Sequence, residues 1–161
     1  NLAIVFFHMG KNTLLIDADM RTPCEHVLFL LNNQLGLLSL LAGRSDVASA
    51  LHTIPFIPKL QVLPAGPIPP NPLELLNRDN LGELFDWAGK TYDIVLIDTS
   101  SLSMGADAMI VAAKAGAALA VARANETKIS AFTDLLADLK RSSINVVGSV
   151  LNDPPLIDVA E

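Results

Sequence analysis

The chain has 161 residues, 51% hydrophobic and 17% charged, which is enough apolar surface for one buried core and too much for a disordered segment. Eleven Lys and Arg against 17 Asp and Glu leave a net charge of −6, which argues against a nucleic acid held through its phosphate backbone. Mean hydropathy is high at +0.43, but the most tempting charge-free stretch, residues 27–43, carries Asn32, Asn33, Gln34 and Gly36 at its centre and is too polar for a spanning helix. No signal-peptide pattern is visible. The single cysteine, Cys24, has no internal disulfide partner, as in a reducing cytoplasm.

In chain order, residues 1–9 are apolar and stop at Gly10, which predicts a helix. Residues 13–17 form a short apolar run closed by Asp17, a buried strand. Residues 27–31 and 37–42 read as short helices, and Asp46 as the N-cap of another through Leu51. Residues 60–64 are a second strand, and the Pro/Gly-rich stretch 64–72 is a loop. Helices are predicted over 73–76 and 81–88, where Phe85 and Trp87 fit the apolar face, and the clearest strand over 93–98. A helix at 106–115, with Asp107 as its cap, precedes a strand at 117–122. Thr127 is expected to cap a helix to Arg141, and 145–151 is the last strand. Phe6 and Phe7 are expected in the core.

The strands are continuously apolar rather than alternating, as in a parallel sheet covered on both faces. Alternation of strands and helices predicts an α/β, doubly wound, mostly parallel sheet with helices on both faces, in a single domain over 1–161.

In such sheets ligands bind beyond the carboxyl ends of the strands. Asp17, Asp19 and Asp98 therefore converge on one edge, with Arg123 and Asn152-Asp153 at the ends of later strands. A single Asp there is equally well explained as an N-cap. Two strands that both end in Ile-Asp are harder to explain that way. Clustered carboxylates are costly without a cation, and a hydrated Mg²⁺ held by one or two carboxylates plus phosphate fits them. Arg21, two residues past Asp19, offers a phosphate contact or reads equally as a surface arginine. His8, His26 and His52 lack metal-ligand spacing, and Cys24 lacks a base partner.

Leu14-Leu15-Ile16-Asp17-Ala18-Asp19-Met20-Arg21-Thr22-Pro23 is similar to the second Walker motif, A′, of bacterial tyrosine kinases. Tyr92-Asp93-Ile94-Val95-Leu96-Ile97-Asp98-Thr99 resembles their Walker B strand. Pro69-Pro70-Asn71-Pro72-Leu73-Glu74-Leu75-Leu76 resembles their Pro-Pro-Asn-Pro-x-Glu-Leu-Leu segment, and Gly36-Leu37 with Leu41-Ala42-Gly43 also fits. The resemblance spans residue 1 to about 153. It implies a P-loop ATPase fold of the Min/Par-like group and ATP-dependent protein-tyrosine (auto)kinase activity in capsule and exopolysaccharide export, with ATP and Mg²⁺ as cofactors. Asp17 would lie by Mg²⁺ and orient or deprotonate the tyrosine hydroxyl. Asp19 would assist in metal or substrate positioning, Arg21 is a further catalytic candidate, Asp98 would hold Mg²⁺ through water, and Asn152 would contact the nucleotide base. The implied partners are a membrane chain-length regulator (a polysaccharide co-polymerase) and further copies of the chain, at the cytoplasmic face of the plasma membrane.

The chain departs from the family pattern in three places. No Gly-x-x-x-x-Gly-Lys-[Ser/Thr] phosphate loop occurs; Gly10-Lys11-Asn12-Thr13 follows a helix and precedes a strand, the reverse of a P-loop's setting. With Asn1 in place of an initiator Met, the expectation is an N-terminally truncated domain, its first strand and phosphate loop upstream and that strand adjacent to those ending at Asp17 and Asp98. Walker B continues Thr99-Ser100-Ser101 instead of Thr-Pro-Pro, and Tyr92, the only tyrosine, precedes a strand and reads as structural. Two other readings stay open: another Min/Par-like ATPase, or a catalytically silent regulatory module.

Overall fold

The computed structural model describes residues 2–68, 70–101 and 106–153. They divide between two compact units, Asn1–Lys114 and Ala115–Glu161.

The first unit is built on a four-stranded sheet of order β2-β3-β1-β4. The central strand β1 (Thr13–Ala18) runs parallel to β3 (Ile57–Leu63) on one side and to β4 (Ile94–Thr99) on the other. β2 (His52–Ile54), which the sequence pattern did not reveal, pairs antiparallel with β3 through a tight hairpin. Because β3 and β4 occupy both edges of β1, a further strand cannot neighbour both acid-terminated strands. The expected flanking of one strand by both is corrected: only β4 has an edge left.

Every residue of β1 is buried. Leu14 and Ile16 face one core with Leu37, Leu38, Leu41, Leu76 and Leu81, while Leu15 faces another with Ala3, Leu60 and Val62. The strand's period of two thus sends alternate side chains into two apolar layers. α1 (Leu2–His8) covers one face. It stops at Gly10, whose φ of +79° suits a helix terminus, with Gly10 N–H donating to Phe7 O at 2.8 Å. Phe6 and Phe7 are only half-buried; Ala3 is the buried residue of this helix.

The opposite layer holds α3 (Leu37–Leu41), α5 (Pro72–Leu76) and α6 (Asp79–Thr91). α6 buries Leu81, Leu84 and Ala88, one stripe of a 3.6-residue period. Phe85 packs against the same core, whereas Trp87 is 37% exposed and meets Tyr92 edge-on. The start of α3 is fastened to the loop after β3: Leu37 and Leu38 N–H groups donate to Pro64 and Ala65 carbonyls at 2.8 and 2.9 Å. Only glycine fits at Gly36, where a Cβ would stand 2.2 Å from Pro64 O. α4 (Val47–Ala50) begins as expected, with Asp46 accepting from Ser49 N–H at 2.7 Å.

The helix expected over 27–31 is a single turn, α2 (Glu25–Leu28). Leu30 adopts φ +54°, which a helix cannot continue through. α7 (Asp107–Ala115) follows β4.

The second unit pairs β5 (Ala117–Arg123) in parallel with β6 (Asn145–Asn152), joined by α8 (Ile129–Arg141). Thr127 does not cap α8. Lys128 is its N-cap residue, and Thr127 Oγ accepts from Arg123 N–H at 2.8 Å, closing the turn after β5. No helix among the described residues is long and apolar enough to cross a membrane.

Candidate functional site

Parallel pairing of β1 with β4 brings the carboxylates together. Asp17 and Asp98 are register partners, as are Ala18 and Thr99. The two Ile-Asp endings therefore stand side by side at the carboxyl edge of the sheet.

Asp17 is fully buried. One of its oxygens accepts from Asp19 N–H and the other from Glu25 N–H, both at 3.1 Å, so the carboxylate is clamped between β1 and the start of α2. Burial pushes its pKa up and the charge of Asp19 adds to the rise; the two backbone bonds and nearby His26 oppose it. Burial likewise raises Asp98, reinforced by the charges of Asp17 and Asp19. Glu25 is raised by burial and then by Asp98 and Asp17. Sequence spacing did not single out Glu25, which lies eight residues past Asp17 and joins the cluster only because the loop folds back. Cys24 is exposed; partial desolvation and the surrounding carboxylates hold its thiol above the usual range, which fits an unreactive thiol.

Asp19 organises the loop after β1. Its Oδ1 accepts from the N–H groups of Arg21 and Thr22 at 2.8 and 3.0 Å, and its Oδ2 from the Thr22 hydroxyl at 3.0 Å. Arg21 turns its side chain to Asp107, with Nε 3.0 Å from Oδ2. Asp107, expected as a helix cap, is instead a buried ion-pair partner in the first turn of α7.

Four buried side-chain polar atoms among the described residues lack a partner: His26 Nδ1, Ser100 Oγ, Asp107 Oδ1 and Ser45 Oγ. The first three belong to residues beside this edge: His26 follows Glu25, Ser100 lies two residues past Asp98, and Asp107 holds Arg21. Orphaned buried polar atoms are rare in folded proteins, and their concentration marks a place completed by something else. No group of three or more His, Cys, Asp or Glu forms a metal cage among the described residues. The arrangement suits a cation held by one or two carboxylates together with phosphate oxygens, the usual environment of Mg²⁺.

Asn152 ends β6 in the second unit, exposed and in register with Arg123; its carbonyl accepts from Ala124 N–H at 2.9 Å. Arg123 pairs with Glu126 and Asp153 at 3.2 and 3.3 Å. A cavity of about 370 Å³ opens here, lined by Arg123, Thr127, Ile129, Phe132 and Leu151 among others. Tyr92 is half-buried in the first unit, and its hydroxyl donates to Gln61 Oε1, in keeping with the structural role expected of it.

No protein-family model matches the chain. It is 40% identical over 152 residues to the tyrosine-protein kinase Wzc of Salmonella typhimurium, covering 94% of this chain and 21% of that protein. The chain therefore spans about a fifth of this curated relative's length. The solved kinase domain of the Escherichia coli tyrosine kinase ETK superposes with a TM-score of 0.90 at 32% identity, over 99% of this chain and 62% of that one. The crystal structure of the chimerical protein CapA2B2 gives 0.88 at 33%, over 97% and 69%. At the level of fold alone, MinD of Pyrococcus horikoshii, solved with Mg-ADP, gives 0.75 at 22% identity, over 93% and 61%.

Proposed function

Because the chain belongs to the bacterial tyrosine-kinase family, with the fold of MinD-like P-loop ATPases, we propose that it is the nucleotide-handling part of an ATP-dependent protein-tyrosine kinase of capsule or exopolysaccharide export. The observation that carries this reading is the in-register pairing of Asp17 with Asp98 at a strand edge, with unpartnered buried polar atoms on nearby His26 and Ser100.

Phosphoryl transfer asks little covalent chemistry of a protein; it asks for alignment and neutralised charge. Mg²⁺, if held here, would supply the charge that offsets the carboxylates and the phosphates. Asp98 and Asp17 are the residues to hold it. Asp17, fixed by two backbone donors, is also proposed to orient the attacking tyrosine hydroxyl or accept its proton. Asp19 shapes the loop, and Arg21 offers a cation to the phosphoryl oxygens. Asn152 is proposed as the contact for the nucleotide base.

The backbone donors and lysine that cradle the phosphates have no counterpart motif in these 161 residues. Tyr92, tied into the fold through Gln61, is not proposed as the acceptor. We place the whole protein at the inner face of the plasma membrane, with a membrane chain-length regulator and its own copies as partners.

The test is made on the whole protein. Asp17→Asn and Asp98→Asn should each lower ATP-dependent tyrosine phosphorylation by on the order of a hundredfold or more, with the folded state retained in melting curves. Variants as active as wild type overturn the assignment. The missing phosphate-loop motif favours one other reading, a silent regulatory module. A whole protein that neither binds Mg·ATP nor phosphorylates tyrosine decides for it.

A further inference from the structure

We propose that Asp107 is a positioning residue of the phosphoryl-transfer site, acting through Arg21 to fix where that guanidinium meets the transferring phosphoryl group. The inference rests on the kinase reading above and deepens it.

Asp107 is 1% exposed, yet it sits in the first turn of α7 and not at the cap. A buried carboxylate is costly unless it is paired. The helix N-terminus offsets part of that cost, and the side-chain partner among the described residues is Arg21 Nε at 3.0 Å, 86 residues earlier in the chain. A residue needed only to start a helix would sit at the surface and bond the backbone of its own first turn. Asp107 instead reaches across to the loop that carries the catalytic candidates.

Arg21 is held at both ends. Its backbone N–H donates to Asp19 Oδ1 at 2.8 Å, and its side chain is gripped by Asp107. The hydrogen bond runs from Nε rather than from the two terminal nitrogens, the prongs that match a pair of phosphoryl oxygens. The Arg21 side chain stays 38% exposed, so it is oriented without being sealed off. A long, rotamer-rich side chain fixed at Nε presents its fork in one direction before substrate arrives, which is the preorganisation that electrostatic catalysis requires. The link also ties the loop after β1 to the helix after β4. The two acid-bearing strands are thereby joined a second time, beyond their ladder.

The experiment uses the whole protein, with Mg·ATP affinity by calorimetry, kcat and KM for tyrosine phosphorylation, and melting temperature. Asp107→Ala should lower kcat about tenfold or more, while Asp107→Asn, which keeps an acceptor for Nε, should recover most of it. In an Arg21→Ala background, Asp107→Ala should add less than about twofold, because its effect runs through the arginine. Arg21→Lys keeps the charge but loses the fork, and should fall with Arg21→Ala. Multiplicative losses in the double variant, unchanged kcat in Asp107→Ala, or full activity in Arg21→Lys overturn the proposal. If Asp107→Ala fails to fold, the Asp107→Asn and Arg21→Lys outcomes decide it. Wild-type protein that transfers no phosphoryl group overturns the kinase reading and this inference together; altered variants of an active wild type bear on Asp107 alone.

Discussion

The two edges of the four-stranded sheet are finished in opposite ways. At one edge, β2 is three residues long, has a register shift between Thr53 and Ile54, and turns through Pro55 and Phe56 into a strand that carries Pro58 and Lys59. Shortness, irregularity, proline and lysine are the devices by which an edge avoids pairing with another chain. At the other edge, β4 offers Ile94-Val95-Leu96-Ile97 in a regular six-residue ladder, with no proline and no lysine. Its composition is that of β1, a strand buried at every position, but each of its own residues is only half-buried. β2 is composed as an edge; β4 is composed as an interior strand.

The largest expected effect tests that contrast through packing. Ile16 and Ile97 are register partners on neighbouring strands, but Ile16 is fully buried and Ile97 is not. Ile16→Ala in this chain should cost about 2–5 kcal/mol, the usual range for an interior aliphatic truncation. Ile97→Ala should cost roughly half as much, since less apolar area returns to water. Urea denaturation of both variants measures the difference. If the whole protein covers the β4 edge, the Ile97→Ala cost rises toward that of Ile16→Ala there; equal costs already in the 161-residue chain would break the contrast.

Much of this edge asymmetry was hidden in the sequence. Continuous apolar runs identified β1, β4, β5 and β6, and the terminal acids located the candidate site, because strand ends and ligand sites coincide in parallel sheets. A run of apolar residues reports what a strand is suited to, and β1 and β4 read alike. It does not report how many neighbours the strand has. β2 escaped notice because His52-Thr53-Ile54 is too short to show a period. From the sequence Asp107 reads as a cap, since an Asp at a helix start is usually one; nothing in the spacing couples it to a residue 86 positions away. Glu25 and Ser100 became visible only once the loop and the strand end were placed.

The second effect is smaller and depends on pH. Asp98 stands at the open edge, and burial followed by the charges of Asp17 and Asp19 lifts its folded pKa above the unfolded value. The folded chain therefore holds that proton more tightly than the unfolded chain. The stability this contributes is complete below the ordinary carboxylate range and is lost as pH rises through the folded pKa. Without a divalent cation, Asp98→Asn should melt above wild type at neutral pH and match it once the pH falls below the carboxylate range. Asp17→Asn should gain less, because its amide nitrogen cannot accept one of the two backbone N–H groups that Asp17 now satisfies. Thermal scans across pH check both, and an Asp98→Asn protein less stable than wild type at neutral pH would contradict the electrostatic account.

The smallest effect lies at the protected edge. Phe56, in the β2–β3 turn, has φ of +65° and a fully exposed side chain. A left-handed conformation costs an L-residue roughly 1–2 kcal/mol, and a ring in water returns no burial to offset it. Glycine removes the strain but adds about 0.5–1 kcal/mol of chain entropy to be lost on folding, so Phe56→Gly should be close to neutral or slightly stabilising. Asparagine tolerates this region through its short polar side chain without glycine's entropy, so Phe56→Asn should be the more stable of the two, by a few tenths of a kcal/mol. Urea denaturation of the 161-residue chain resolves that ordering. Losses of about 1 kcal/mol or more in both variants would mean that the phenyl ring is covered in solution. The β2 edge would then resemble β4 in depending on another surface, and the contrast between the two edges would fail.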